Sequence, residues 1–158
     1  MRLRGNWSRR WREHVSAKPH QVVLDTCVLI AAIRSTQGAS FRLLQLVGDP
    51  RWELSLSPTL LFEYEEVGRP QVARLWDKPE KFDDLLDFLC LSARRPTISY
   101  SWRPQLADAD DEMVLELAVA ARADFIVTHN VRDFAGAEQF GVGILTPAAF
   151  LRKLENTT

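Results

Sequence analysis

The hydrophobic pattern opens with an apolar run, Val22-Val23-Leu24, broken by Asp25 and resumed at Val28-Leu29-Ile30. A continuous run of this kind reads as a strand buried on both faces, ending at Asp25, with a helix over 27–34 behind it. Phe41, Leu43, Leu44 and Val47 mark a second helix that stops at Gly48-Asp49-Pro50. Alternation over 52–57 predicts a short strand, and Ser57-Pro58 then supplies an N-cap and a first-turn proline. That helix is expected to run from 58 to about 67 and to end at Gly68-Arg69-Pro70, with Leu60, Leu61, Tyr64 and Val67 inward. Helical stretches near 72–76 and 79–91, a short strand over 97–101 and an apolar helix over 113–122 follow. Ala123 to Thr128 is the clearest second parallel strand, 142–145 a last short one, and Thr146-Pro147 opens a C-terminal helix.

Strands alternating with helices predict an α/β fold with a mostly parallel sheet, joined by right-handed crossovers. The 158 residues, 46% apolar and 26% charged, suit one domain of ordinary size. We expect a basic Trp/Arg-rich N-terminal arm over 1–20, the domain over 21–155 and a tail over 156–158. The arm carries Arg2, Arg4, Arg9, Arg10, Arg12 and Lys18 against Glu13, with Trp7 and Trp11 four apart. Such a segment suits an RNA or protein partner, or equally packs on the body.

No apolar run approaches the roughly 18 residues of a membrane span, and the N-terminus lacks a signal-peptide core. Cys27 and Cys90 are too few for a disulfide framework and have no zinc-ligand spacing. A cytoplasmic protein with reduced thiols and no membrane attachment is expected.

Parallel sheets bind ligands at the carboxyl ends of their strands. Asp25 lies there, as does the loop His129-Asn130-Val131-Arg132-Asp133, whereas Asp124 precedes its strand and falls on the opposite rim. In Asp108-Ala109-Asp110-Asp111-Glu112, capping explains Asp108, Asp110 and Glu112. Asp111 is different: it precedes Leu115 and Ala118 on the inward stripe, with Asp110 turned about 100° away. In the 58–67 helix Glu66 points outward, and Glu63 and Glu65 flank the buried face on either side, so periodicity leaves both open. Carboxylates gathered this way repel one another unless a cation compensates them. Oxygen-only ligands favour Mg²⁺ or Mn²⁺, and hence metal-dependent phosphoester chemistry. A dinucleotide site would need glycines after the first strand, and an aspartyl-nucleophile phosphatase a second Asp at Cys27; neither is present.

The chain resembles PIN-domain nucleases, in particular those acting as VapC-like toxins of toxin–antitoxin pairs. The resemblance spans roughly 21–151. It rests on Val-Val-Leu-Asp25-Thr26-x-Val-Leu, Leu-Ser-Pro-x-Leu-Leu-x-Glu63-Tyr, Asp108-Ala-Asp-Asp111-Glu-Met and Ile-Val-Thr128-x-Asn130-x-x-Asp133-Phe. It implies a three-layer α/β/α sandwich of Rossmann-like topology and a Mg²⁺- or Mn²⁺-dependent endoribonuclease, often a homodimer, with an antitoxin partner. It implies Asp25, Glu63 and Asp111 as the acids holding the ion, choosing Glu63 over Glu65, with Asn130 or Asp133 completing the shell. Thr26 and Thr128 would orient ligands or water by hydrogen bonds, though turn capping explains them equally well.

Two departures stand out. Asn130 replaces a fourth Asp, and Cys27 stands where many relatives have Asn and reads as a small packed hydrophobe. The alternative they leave is a module that binds RNA or a protein without cutting. Trp52, Trp76 and Trp102 read as packing or dimer contacts.

Overall fold

The computed structural model describes residues 18–98 and 104–156. Strand β1 (His20–Leu24) is the centre of a four-stranded, wholly parallel sheet. Helices α1 (Thr26–Arg34) and α2 (Ala39–Gln45) lead to β2 (Trp52–Leu54). Helices α3 (Pro58–Leu75), α4 (Lys81–Ser92) and α5 (Ala109–Ala120) lead on to β3 (Phe125–Val127). Two short 3₁₀ turns, Val131–Phe134 and Ala137–Phe140, precede β4 (Gly143–Leu145), and α6 (Pro147–Glu155) follows. The expected α/β architecture and parallel sheet are present.

The strand order is β2-β1-β3-β4. Val22 pairs with Leu54 on one side and with Phe125 on the other, and β3 pairs with β4 from Phe125 opposite Gly143. From β1 the chain moves first toward β2 and then back across to β3. The connection therefore reverses between β1 and β3, and ligands bind at the carboxyl side of such a switch point. Val22, Val23, Ile126 and Val127 are wholly buried, which explains the unbroken apolar run. The ladder continues one residue beyond each strand, Asp25 N–H donating to the Val127 carbonyl and Thr128 N–H to that of Leu145. Asp25 and Thr128 therefore emerge side by side at the switch point.

Two expected boundaries differ. Helix α3 does not end at Gly68-Arg69-Pro70 but continues to Leu75, absorbing the separate stretch expected at 72–76. Gly68 is there for packing: a Cβ on it would lie 2.5 Å from Phe82 Cζ of α4. Proline removes one helical N–H, a loss that the buried contacts of Tyr64, Gly68 and Val72 offset. Gly68 thus takes the inward place expected of Val67, which is 40% exposed. The expected strand at 97–101 is absent at Thr97 and Ile98, and residues 99–101 lie outside the described residues. Pairing occurs earlier, at an isolated bridge between Ser55 and Arg94.

Trp52 and Trp76 are packing residues: Trp52 meets Phe150 edge-on, and the Trp76 indole donates to the Ile33 carbonyl at 3.2 Å. Trp102, Trp7, Trp11 and the arginines of the arm lie outside the described residues. No helix among the described residues is long and apolar enough to cross a membrane.

Candidate acidic site at the carboxyl ends of β1 and β3

Asp25 caps the N-terminus of α1, its Oδ1 accepting from Thr26 N–H at 2.8 Å. Oδ2 accepts from Thr128 Oγ1 at 2.7 Å and from Cys27 Sγ at 3.3 Å. Only 7% exposed, Asp25 is held, among the described residues, by three donors and no cation. Thr128, wholly buried, gives its hydroxyl proton to Asp25 and accepts from Asn130 N–H at 3.0 Å. One hydroxyl thereby ties the loop after β3 to the acid after β1.

Glu63 reaches the same place from α3. Ser57 caps that helix through Leu60 N–H at 3.1 Å, as its sequence predicts. Buried Tyr64 then donates its hydroxyl to the carbonyl of Leu24, the last residue of β1. This contact pins α3 to the strand end and brings Glu63 Oε2 onto the Thr26 hydroxyl. Glu65 faces elsewhere, its Oε1 accepting from Arg69 Nε at 3.0 Å and Nη2 at 2.7 Å. The two acids that periodicity left open thus have different partners.

The third set of acids comes from the start of α5. Asp108 is the N-cap, its Oδ1 accepting from the N–H groups of Asp110 at 2.8 Å and Asp111 at 3.2 Å. Asp111 is half-buried, one turn before Leu115 and two before Ala118, both wholly buried, as the helix wheel predicts. Burial, and then the charges of Asp108, Asp25, Asp133 and Asp110, push its carboxyl up to about 6. Burial likewise raises Glu63; the Thr26 bond opposes the rise, and Asp110 and Asp25 add to it.

Asp110 is exposed, yet its charge acts across from α5 on Glu63 of α3 and adds to the rise of that carboxyl. The wheel marked Asp110 only as turned away from its own core stripe; contact with another helix lies beyond what periodicity can show. Asn130 and Asp133 are both exposed on the loop after β3. Asn130 joins the network through its backbone, and Asp133 lies near enough to raise Asp111.

Two further residues gain roles that their types did not reveal. Cys27 packs on the core as expected, but its thiol also donates to Asp25 and accepts from His129 N–H at 3.4 Å. Burial raises that thiol, the Thr128 bond opposes the rise, and the Asp25 charge adds to it. Glu112, read as a capping acid, is buried and accepts from Gln105 N–H at 2.7 Å and from Leu106 N–H, clamping the segment that leads into α5. The His129 ring meets Ser40 of α2 at 2.8 Å. Its signal, a polar partner distant in sequence, is invisible to local pattern.

The acids share one rim and one field without forming a closed cage. Among the described residues no three His, Cys, Asp or Glu side chains are arranged to hold a metal ion between them as they stand.

The family model described as PIN domain matches residues 21–132, from β1 through Asp25, Glu63, Asp111 and Asn130, with Asp133 one residue beyond. Among solved structures, the fold is similar to that of VapBC2 from Rickettsia felis bound to a DNA fragment from their promoter. That match has a TM-score of 0.53 at 16% identity, and covers 80% of this chain and 98% of that one. No curated protein matches. With a match over most of its length, from the first strand to the loop after the third, the chain belongs to the PIN-domain family.

Proposed function

We propose that this chain is a divalent-metal-dependent endoribonuclease and the toxin of a toxin–antitoxin pair. PIN domains are generally nucleases, which supports the hydrolytic half of the reading. The observation that carries the metal is the pair of raised carboxyls, Asp111 and Glu63, beside a buried Asp25 whose partners among the described residues are all neutral. Burial raises both first, and the nearby charges of Asp25 and Asp110 add to each, a strain that a hard cation relieves. The donors are all oxygen, and Mg²⁺ typically takes one or two carboxylates while keeping its waters, so an open set fits. Asp25, Glu63 and Asp111 would hold Mg²⁺ or Mn²⁺, with Asn130 or Asp133 completing the shell. When bound, such an ion supplies an acidified water and stabilises phosphoryl oxygens.

The protein's own contribution is positioning. Thr128 and Cys27 fix the Asp25 rotamer, Thr26 orients Glu63, and the Asp108 cap and Glu112 clamp set the angle at which Asp111 enters. Supporting groups of this kind commonly change metal affinity or activity by about 10–100-fold when removed. The products would be 5′-phosphate and 3′-hydroxyl ends. We extend the reading to a homodimer whose cleft an antitoxin covers, consistent with a similar fold in a VapBC complex.

The test is cleavage of single-stranded RNA with Mg²⁺ or Mn²⁺, beside the Asp25→Asn variant and a chelated control. We expect the variant to lose at least about a hundredfold in rate, since it alters a ligand rather than its support. Wild type and variant equally inert while both bind RNA would replace the nuclease reading with that of a binding module.

A further inference from the structure

The two shell candidates on the loop after β3 stand between fixed points. Thr128, wholly buried, holds Asn130 N–H on one side, and wholly buried Phe134 closes the far end of the short 3₁₀ turn. Between them Asn130, Val131, Arg132 and Asp133 are all exposed, and the turn has no side-chain cap. Asp133 N–H donates to the Asn130 carbonyl at 3.0 Å, which stiffens the turn but does not fix where it points. Donors that drift relative to one another hold a small ion poorly, since Mg²⁺ demands near-ideal octahedral geometry.

His129 supplies the missing anchor. Among the described residues it is the one side chain of residues 129–133 that hydrogen-bonds another side chain, its Nε2 lying 2.8 Å from Ser40 Oγ. His129 is itself exposed, but Ser40 is only 3% exposed. Ser40 stands in the first turn of α2, whose N-cap, Gly38, makes no side-chain capping bond. Its hydroxyl is used across 89 residues of sequence, not on its own helix. The helix is a firm support: Leu43 and Leu44 are buried, and α2 packs on α1 and α6. The His129 backbone makes a second tie, its N–H donating to Cys27 Sγ, the thiol that donates in turn to Asp25. One residue therefore links the loop both to the helix layer and to the central acid.

We propose that His129 is a positioning residue. Through Ser40 it braces the loop that carries Asn130 and Asp133, and so holds their donors in one arrangement relative to Asp25. Because Ser40 is buried, removing its hydroxyl breaks the brace without altering the surface that meets an ion or a substrate.

The inference rests on the metal reading above, and its test keeps the two apart. Amide exchange at Asn130 and Asp133 would be followed by NMR in the full chain, in chelated buffer. Ser40→Ala should speed both about fivefold, the worth of one hydrogen bond, and leave Val23 of β1 unchanged. Mn²⁺ affinity, read by titration calorimetry, should fall about tenfold or more in Ser40→Ala and in His129→Ala, as for other groups that orient ligands. His129→Gln, which keeps a polar group within reach of Ser40, should restore most of it. In a chain carrying Asn130→Ala and Asp133→Ala, Ser40→Ala should have no further effect on affinity, because the loop no longer holds a ligand.

Unchanged loop exchange in Ser40→Ala would overturn the brace, whether or not the protein binds an ion. So would an unchanged Mn²⁺ affinity in a loosened loop, which would make the bond an ordinary packing contact. An undiminished loss in the doubly substituted chain would overturn it as well, since the effect would then bypass the loop. A wild type that binds no Mn²⁺, while Ser40→Ala still loosens the loop, defeats only the metal reading and leaves the brace standing.

Discussion

At the amino ends of the strands, His20 lies edge-on to Phe125 and Phe150, with Trp52 also against Phe150, at centroid distances of 5.6–6.3 Å. At the carboxyl ends of the same sheet lie Asp25, Glu63, Asp110 and Asp111. The amino rim has acids too, but each has a donor from elsewhere. Asp124 accepts from Gln21 N–H at 2.8 Å, and Asp49 is chelated by Arg51. Burial pushes Asp49 up, yet the bonds from Arg51 outweigh it and hold the carboxyl below its ordinary range. On the carboxyl rim no arginine among the described residues plays that part, and Asp111 rises to about 6. One end of the sheet is built for stability, and the other retains uncompensated charge that a ligand can use. The two also differ in tolerance, since a Cβ placed on Gly143 at the packed rim would lie only 2.9 Å from the Phe125 ring.

The largest effect on stability should come from Phe150→Ala, which empties the centre of the aromatic cluster. Its expected cost is about 3–5 kcal/mol in denaturant unfolding. Where the variant remains folded, RNA cleavage per folded molecule should be unchanged. A specific loss of cleavage would break the separation of the two rims.

Next comes Thr128→Val, nearly isosteric, which removes the hydroxyl from Asp25 and strands Asn130 N–H. Metal affinity, read by titration calorimetry with Mn²⁺, should fall about 10–100-fold. Stability should fall by about 1–2 kcal/mol. Loss of stability without loss of affinity would make Thr128 an ordinary turn cap.

The smallest effect, and the sharpest, is that of Asp111→Asn in chelated buffer. A carboxyl raised in the folded state keeps its proton there while the unfolded chain loses it. Stability therefore falls as pH rises from about 4 to 6, and the penalty persists at neutral pH. The variant should be more stable than wild type at pH 7 by about 1 kcal/mol after allowance for solvent screening, and should lose that advantage below pH 4. Destabilisation at pH 7 would show that local donors already satisfy Asp111, and the contrast with Asp49 would fail.

Much of this protein is legible in one dimension. The apolar run ending at Asp25, the Ser57-Pro58 helix start and the inward place of Asp111 follow from burial, capping and a fixed rotation per residue, all local properties. Asp124 falls on the far rim by the same logic. Tertiary packing decided what local rules leave open. Gly68 and Pro70 read as a helix end, but the Phe82 ring needs the missing Cβ, and α3 continues past them. Glu63 and Glu65 are equivalent on the wheel until Tyr64 docks on Leu24 and Thr26 meets only the first. Cys27 and Asp110 join the site because strands and helices far apart in sequence converge there. The sequence by itself determined which acids stand at the ends of elements. Only the tertiary structure decided which of them share a field, because Coulomb interactions depend on distance in space and not along the chain.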